Sequence, residues 1–182
     1  SRDETKQHYM RLEHLRLRAA TDDAIYNETK DLLSFRIGDI RNYSSVVQAI
    51  QETDVVFHAA AMKQVPTCEY FPFEAVQTNI IGTQNLVRAI KENKTSVETV
   101  AGISTDKASK PVNVMGMTKA IQERILVQAN QECSDTRFIC VRYGNVLSSR
   151  GSVVPLFIDQ IRRGGPVTIT LKEMTRFLLS LD

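Results

Sequence analysis

Val97-Glu98-Thr99-Val100-Ala101-Gly102-Ile103-Ser104-Thr105-Asp106-Lys107 is the stretch on which the fold turns. Val97–Ile103 has the length and apolar character of a buried strand, and the four residues after it are polar. Val112–Asn130 reads as a long helix, and Thr136–Val141, with its run Phe-Ile-Cys-Val, as the next strand. Strand, helix, strand in this order calls for parallel strands joined by a crossover.

The same alternation continues outward. Upstream, Asp54–His58 is a compact strand ending in Ala59-Ala60-Ala61, and Phe73–Lys91 is a long helix. Its Phe73, Val76, Ile80, Val87 and Ile90 recur near a 3.6-residue period. Tyr43–Gln51 reads as a short helix that Ser44 or Asn42 can cap. Leu32–Ile37 is β-like and closes on Gly38-Asp39, and Thr5–Arg18 reads helical. Downstream, Val153–Arg163 reads as a helix, Pro166–Thr170 as a short strand and Lys172–Leu181 as the start of a last helix. The expected class is therefore α/β, a doubly wound, mostly parallel sheet, in which ligands bind beyond the carboxyl ends of the strands.

Composition narrows the function classes. The 182 residues are 42% hydrophobic and 24% charged, with 23 Lys+Arg against 21 Asp+Glu, which is ordinary globular usage rather than a disordered or collagen-like one. A net charge of +2 gives no concentrated basic footprint for nucleic acid. No apolar run reaches the 18 or so residues that span a bilayer. Three cysteines without a Cys-x-x-Cys pair signal neither a disulfide framework nor a zinc site, so no metal is expected. The eight glycines include no Gly-x-Gly-x-x-Gly cluster.

The strand ends carry the chemistry. Ala59, Ala60 and Ala61 let a flat ligand approach the backbone, or simply allow tight helix–sheet packing. His58 beside them reads as a core histidine. At Thr105-Asp106-Lys107, Asp106 is a general acid if burial raises its pKa, and Lys107 a general base if desolvation lowers its own. The plainer reading is a helix cap followed by a solvated lysine. Met115 and Lys119 stand four apart and share a helix face. Met117, Ile121 and Ile125 fall on another face, which reads as the core stripe and leaves Lys119 outward. Arg176 suits a phosphate, or is an ordinary surface arginine.

Eight segments in order resemble the extended short-chain dehydrogenase/reductase superfamily. They are Ser1-Arg2-Asp3-Glu4, Gly38-Asp39-Ile40-Arg41, His58–Pro66, Thr78–Thr83, Ser104–Lys107, Asn113–Lys119, Arg142–Val146 and Met174–Phe177. The chain looks most like the inverting UDP-N-acetylglucosamine 4,6-dehydratases and their capsule-type relatives. The resemblance implies that residues 1–182 are a partial NAD(P)-binding Rossmann-like domain, with the substrate-binding region starting at about 144–182. The first strand and its glycine-rich turn would be missing, so the chain should hold a dinucleotide poorly.

By position, the resemblance implies a cofactor, NAD or NADP, held by Ser1, Arg2, Asp39, Ile40, Ala59, Ala60, Ala61, Lys119 and Tyr143. Ser1 and Arg2 would favour a 2′-phosphate. Lys63, Asn145, Arg150 and Arg176 would meet the UDP-sugar. The implied chemistry is an internal redox elimination: hydride leaves C4, Lys107 removes the C5 proton, Asp106 protonates the departing C6 hydroxyl, and hydride returns to C6 with inversion at C5. The superfamily's usual tyrosine is replaced by Met115. In long-form relatives with the same replacement, Thr105, Met115 and Lys119 match, and the C4 hydroxyl proton would pass through Thr105 or water toward Lys119. Such enzymes serve surface-polysaccharide or glycan biosynthesis as homo-oligomers, in the cytoplasm or on the cytoplasmic face of the inner membrane, where the parent protein leaves room for an anchor. Two alternatives stay open: a UDP-sugar 4-epimerase, against which the Asp106-Lys107 pair argues, and a non-catalytic dinucleotide-fold scaffold or sensor, which Met115 favours.

Overall fold

The structure is a computed structural model that describes residues 2–10, 34–147, 152–169, 171–175 and 177–180. Residues 4–10 form helix α1. Helix α2 (Tyr43–Ile50) starts where the Asn42 side chain accepts from the Ser45 amide. Strand β1 is Val55–His58, and α3 (Val65–Tyr70), α4 (Pro72–Val76), a π-helical turn (Gln77–Ile81) and α5 (Gly82–Glu92) follow. Then come β2 (Thr99–Thr105), a 3-10 turn (Asp106–Ala108), α6 (Val114–Glu132) and β3 (Arg137–Tyr143). The short β4 (Asn145–Val146), α7 (Val153–Arg162) and β5 (Leu178–Leu179) complete the described elements.

Strands β1, β2 and β3 lie side by side in that order, all parallel. Val56, Val100 and Phe138 stand opposite one another in the ladder and point to one face. There they meet Val46 and Ile50 of α2, Leu86, Val87 and Ile90 of α5, and Leu126 and Ala129 of α6, which together form the main core. A separate two-stranded sheet pairs β4 with β5 in parallel beyond the carboxyl end of β3.

Several expected elements differ. Residues 34–37 carry no ladder: among the described residues no strand lies along the outer edge of β1. The Arg36 carbonyl instead accepts from Gln7 Nε2 at 2.9 Å. Residues 165–169 form no strand; Gln160 of α7 holds Thr168 through its amide and hydroxyl. The last expected helix is replaced by a turn at 172–173 and by β5, whose Leu178 and Leu179 pair with Asn145 and Val146. The three cysteines are free thiols.

Candidate functional site

Two cavities share Ala59 and Ala61: the first runs along the outer edge of β1 to its carboxyl end, and the second lies at the carboxyl ends of β2 and β3. The first, about 880 Å³, is lined by Arg2, Asp39, Ile40, His58, Ala59, Ala60, Ala61 and Thr78, among others. The second, about 700 Å³, takes in Lys63, Thr105, Lys107, Met115, Lys119, Tyr143 and Asn145. Among the described residues, small side chains after β1 thus form the ridge common to both, where a long, flat ligand could cross at backbone level. Ser1, Arg150 and Arg176 lie outside the described residues.

In the first cavity Asp39 accepts from Arg41 at 3.2, 3.0 and 2.8 Å, and Arg2 stands 3.5 Å from it. The Arg41 hydrogen bond, against a smaller opposing effect of burial, holds the Asp39 carboxyl below its usual range. His58 is buried, and its Nε2 lies 2.8 Å from Thr83 Oγ1. Thr83 gives its single hydroxyl proton to the Asn79 carbonyl at 2.7 Å, so it must accept from His58 Nε2–H, which fixes the neutral tautomer. Burial, then the nearby Lys119 charge, pushes the imidazole down to about 4. A neutral, hydrogen-bonded histidine here is structural.

The second cavity is organised by the turn after β2. The Thr105 hydroxyl accepts from the Lys107 amide, capping the 3-10 turn, and donates to Asp106 Oδ1 at 2.9 Å. Lys107 Nζ donates to Asp106 Oδ1 at 3.1 Å and to Asn145 Oδ1 at 2.9 Å. Burial works to raise the Asp106 pKa, but the hydrogen bonds from Lys107 and Thr105 and the Lys107 charge outweigh it, and the net shift is downward. The expectation of a burial-raised, protonated Asp106 is therefore corrected: in this geometry it is a carboxylate. Lys107 lines the cavity, while Asp106 stands behind it.

On α6, Ile125 packs against the core as expected, but the expected places of Met117, Ile121 and Lys119 are corrected. Met117 and Ile121 are 47% and 46% exposed, whereas Lys119 is only 6% exposed. The helix turns a polar face inward because every group on it finds a partner. Lys119 Nζ donates to the Ile103 carbonyl at 2.5 Å and to Gln122 Oε1 at 2.7 Å. Glu123 takes both Arg142 nitrogens and the Ser104 hydroxyl. Burial lowers the Lys119 pKa to about 8, with Glu123 and then Cys140 opposing it. Met115 is buried against Cys68, Ala75, Met62 and Val65, and a thioether there offers no proton.

One residue that carries the site was missed. Asn79 is fully buried in the π-helical turn; its Oδ1 accepts from the Met62 amide at 2.8 Å, and its Nδ2 donates to the Met62 carbonyl and Thr118 Oγ1. It ties the loop after β1 to α6. The only signal in the sequence was its place inside the Thr78–Thr83 segment.

These features define the class first: a parallel α/β protein with ligand space at the strand ends and a lysine-rich second cavity. The chain belongs to the family described as polysaccharide biosynthesis protein, whose family model matches residues 1–182. This agrees with the extended short-chain dehydrogenase/reductase superfamily expected from the motif order. A protein of Rickettsia canadensis named UDP-glucose 4-epimerase is 50% identical over 183 residues, covering 100% of this chain and 49% of its own length. The solved structure of Pen from Bacillus thuringiensis is 45% identical with a TM-score of 0.77, covering 87% of this chain and 50% of that one. A UDP-glucuronic acid 4-epimerase from Bacillus cereus, solved with UDP-glucuronic acid and NAD, is 25% identical with a TM-score of 0.71, covering 84% of this chain and 54% of that one. The chain spans about half the length of the curated relatives it matches. Among the described residues no helix is long and apolar enough to cross a membrane, and no cluster of His, Cys, Asp and Glu could hold a metal ion.

Proposed function

We propose that the protein is a nicotinamide-dependent nucleotide-sugar enzyme, and more narrowly a 4,6-dehydratase of UDP-N-acetylglucosamine-type sugars in surface-polysaccharide or glycan assembly. The observation that carries this reading is Lys107: it faces the cavity that also holds Lys119, with Asp106 at 3.1 Å behind it. An enzyme that only inverts C4 has no use for an acid–base pair beside the C4 lysine. Elimination across C5 and C6 needs one.

The residues present suit a dinucleotide in its adenosine and nicotinamide halves. Thr78 Oγ1 lies buried at the first cavity with no hydrogen-bond partner among the described residues, as a group awaiting a polar ligand does. Arg2, Asp39 and Ile40 would hold the adenosine end, Ala59–Ala61 the middle, and Lys119 and Tyr143 the nicotinamide end. When bound, such a cofactor accepts hydride from a sugar carbon and returns it. The Bacillus cereus structure, with NAD and a UDP-sugar bound on a similar fold, supports this assignment.

The chain's own residues do the proton work. At rest the Asp106–Lys107 pair holds its proton on the lysine, since Asp106 is stabilised as the carboxylate. Elimination requires that this proton pass from Lys107 Nζ to Asp106 Oδ1 along their 3.1 Å hydrogen bond, leaving a free amine and a carboxylic acid, a transfer that the lowered Asp106 pKa opposes and substrate contacts must drive. The amine can then take the C5 proton, and the acid can protonate the departing C6 hydroxyl. Lys119, whose pKa burial brings down to about 8, can in its free-amine form take up the C4 hydroxyl proton passed on through Thr105 or water. Lys63 and Asn145 at the cavity wall would face the sugar nucleotide, as would Arg150 and Arg176. The split between the main sheet and the β4–β5 pair supports a substrate region from about residue 144. The exposed Met117 and Ile121 support assembly with a second copy.

The second reading is a UDP-sugar 4-epimerase, favoured by the name of the Rickettsia relative. Incubating the full-length protein with UDP-N-acetylglucosamine and NAD or NADP separates them by mass spectrometry. Loss of one water supports the dehydratase; a changed sugar of unchanged mass removes it. With Lys107→Ala, dehydration should fall at least about a hundredfold, and incorporation of solvent deuterium at C5 should vanish.

A further inference from the structure

Behind the second cavity lies a buried carboxylate with no part in the steps above. Glu123 is 8% exposed and sits on α6 one turn after Lys119, so the two share a helix face. Arg142 grips it with two hydrogen bonds, Nε to Oε1 at 2.9 Å and Nη2 to Oε2 at 2.6 Å, and the Ser104 hydroxyl donates to the same Oε1. Ser104 immediately precedes Thr105-Asp106-Lys107 on β2, and Arg142 immediately precedes Tyr143 on β3. One side chain therefore fastens two strand ends to the helix that carries Lys119.

The direct partners of Lys119 Nζ, the Ile103 carbonyl and the Gln122 amide oxygen, are both neutral. A buried ammonium with only neutral partners is unstable unless a negative charge lies nearby. We propose that Glu123 is a positioning residue for the second cavity: its carboxylate pins the carboxyl ends of β2 and β3 to α6 and supplies the counter-charge to the Lys119 ammonium. This rests on the reading of Lys119 as a working group of the cavity. Other groups facing Lys119 are the neutral His58 from β1, Cys140 from β3 and Lys107 on the shared cavity wall, with Arg142 bound to Glu123 and Asp106 to Lys107. Of these, Glu123 is the anion on Lys119's own helix face; Arg142, bound to it, cancels part of its charge, as Lys107 does for Asp106.

A tie that was merely structural would weaken the fold alike when either end is removed. A counter-charge acts with a sign. Titrating the Lys119 side chain by carbon and nitrogen NMR in the 182-residue protein, with the signal assigned by its loss in Lys119→Arg, reads that sign directly. Glu123→Gln should move the Lys119 midpoint down by about one pH unit, and Arg142→Gln should move it up, because the carboxylate is then uncompensated. Shifts of the same sign, or shifts within about 0.2 unit in both variants, would overturn the proposal. Should Glu123→Gln fail to fold, Arg142→Gln decides alone: a rise supports the proposal and no rise defeats it. Because no turnover is needed, the result separates from the function assignment. An inactive protein with opposed shifts loses only the dehydratase reading, and an active one with unmoved titration loses only the role of Glu123.

Discussion

Lys107 is held at three atoms, and the third is the least visible in the sequence. Besides the two hydrogen bonds of its Nζ and the one its amide gives to Thr105 Oγ1, its carbonyl oxygen lies against Gly116 in the first turn of α6, where a Cβ would stand only 2.8 Å away. That neighbour is backbone and cannot swing aside. Gly116 also donates its amide to the cap at Asn113 Oδ1, which fixes the turn in place. Replacing Gly116 by Ala gains up to about 1 kcal/mol of helix propensity but forces an overlap costing roughly 1–3 kcal/mol, so the net effect is destabilising. The displacement falls on the Lys107 backbone, and a shift of about 1 Å in a catalytic group can reduce turnover on the order of a hundredfold. Urea unfolding and sugar-product formation should both show the loss in Gly116→Ala. Met117→Ala, one residue on and half exposed, should leave stability within about 0.5 kcal/mol.

At the scale of elements, the strand–helix alternation was legible because apolar runs and periodic stripes report burial directly. What periodicity could not show was a change of helical pitch. Phe73, Val76, Ile80, Val87 and Ile90 suggest one continuous stripe, yet Phe73 is 67% exposed while Val87 and Ile90 are core. The π-helical turn at Gln77–Ile81 shifts the face between them and aims Thr78 and Asn79 inward. In α6 the failure is different. Apolar residues ordinarily mark the buried face of a helix, but here a face of Thr118, Lys119, Gln122 and Glu123 is buried because each polar group has a partner on β2, on β3, in the π-helical turn or on α6 itself. Such partners are distant in sequence, so no local pattern announces them; the motif order did, for Lys119 and Asp106-Lys107. Asn79 is where the π-helical turn can be tested. Asn79→Ala leaves the Met62 amide and carbonyl unpaired, which should destabilise the fold by about 2–4 kcal/mol in urea unfolding. The Met62 amide should also lose its protection from hydrogen exchange, whereas α2, remote from Asn79, should exchange as before.

At the scale of the whole molecule, the burial of two bases among the described residues, His58 and Lys119, gives stability a definite pH dependence. His58 titrates near 4 in the folded protein, mainly through desolvation, against about 6.5 in an unfolded chain. Between those values the unfolded chain binds the proton that the folded one refuses, so stability falls as pH drops from about 6.5 towards 4, by up to about 3 kcal/mol. Lys119 titrates near 8, again mainly through desolvation, against about 10.4 unfolded. Here too the unfolded chain holds the extra proton, so stability rises as pH climbs from about 8 to 10.4, by a similar amount. Both groups tilt the curve the same way, in separate windows. Paired carboxylates such as Asp39 and Glu123, whose pKa values are lowered, add loss only at the acid end. Urea unfolding from pH 4.5 to 10 distinguishes the sources when wild type is compared with His58→Asn and Lys119→Met. Relative to Lys119→Met, the wild type should gain about 2–3 kcal/mol between pH 7 and 10 and nothing below pH 7. Relative to His58→Asn, it should lose a comparable amount between pH 6.5 and 4.5 and nothing above. Parallel curves in either comparison would mean that the side chain concerned reaches solvent in the folded protein, and would contradict its buried place behind the cavities.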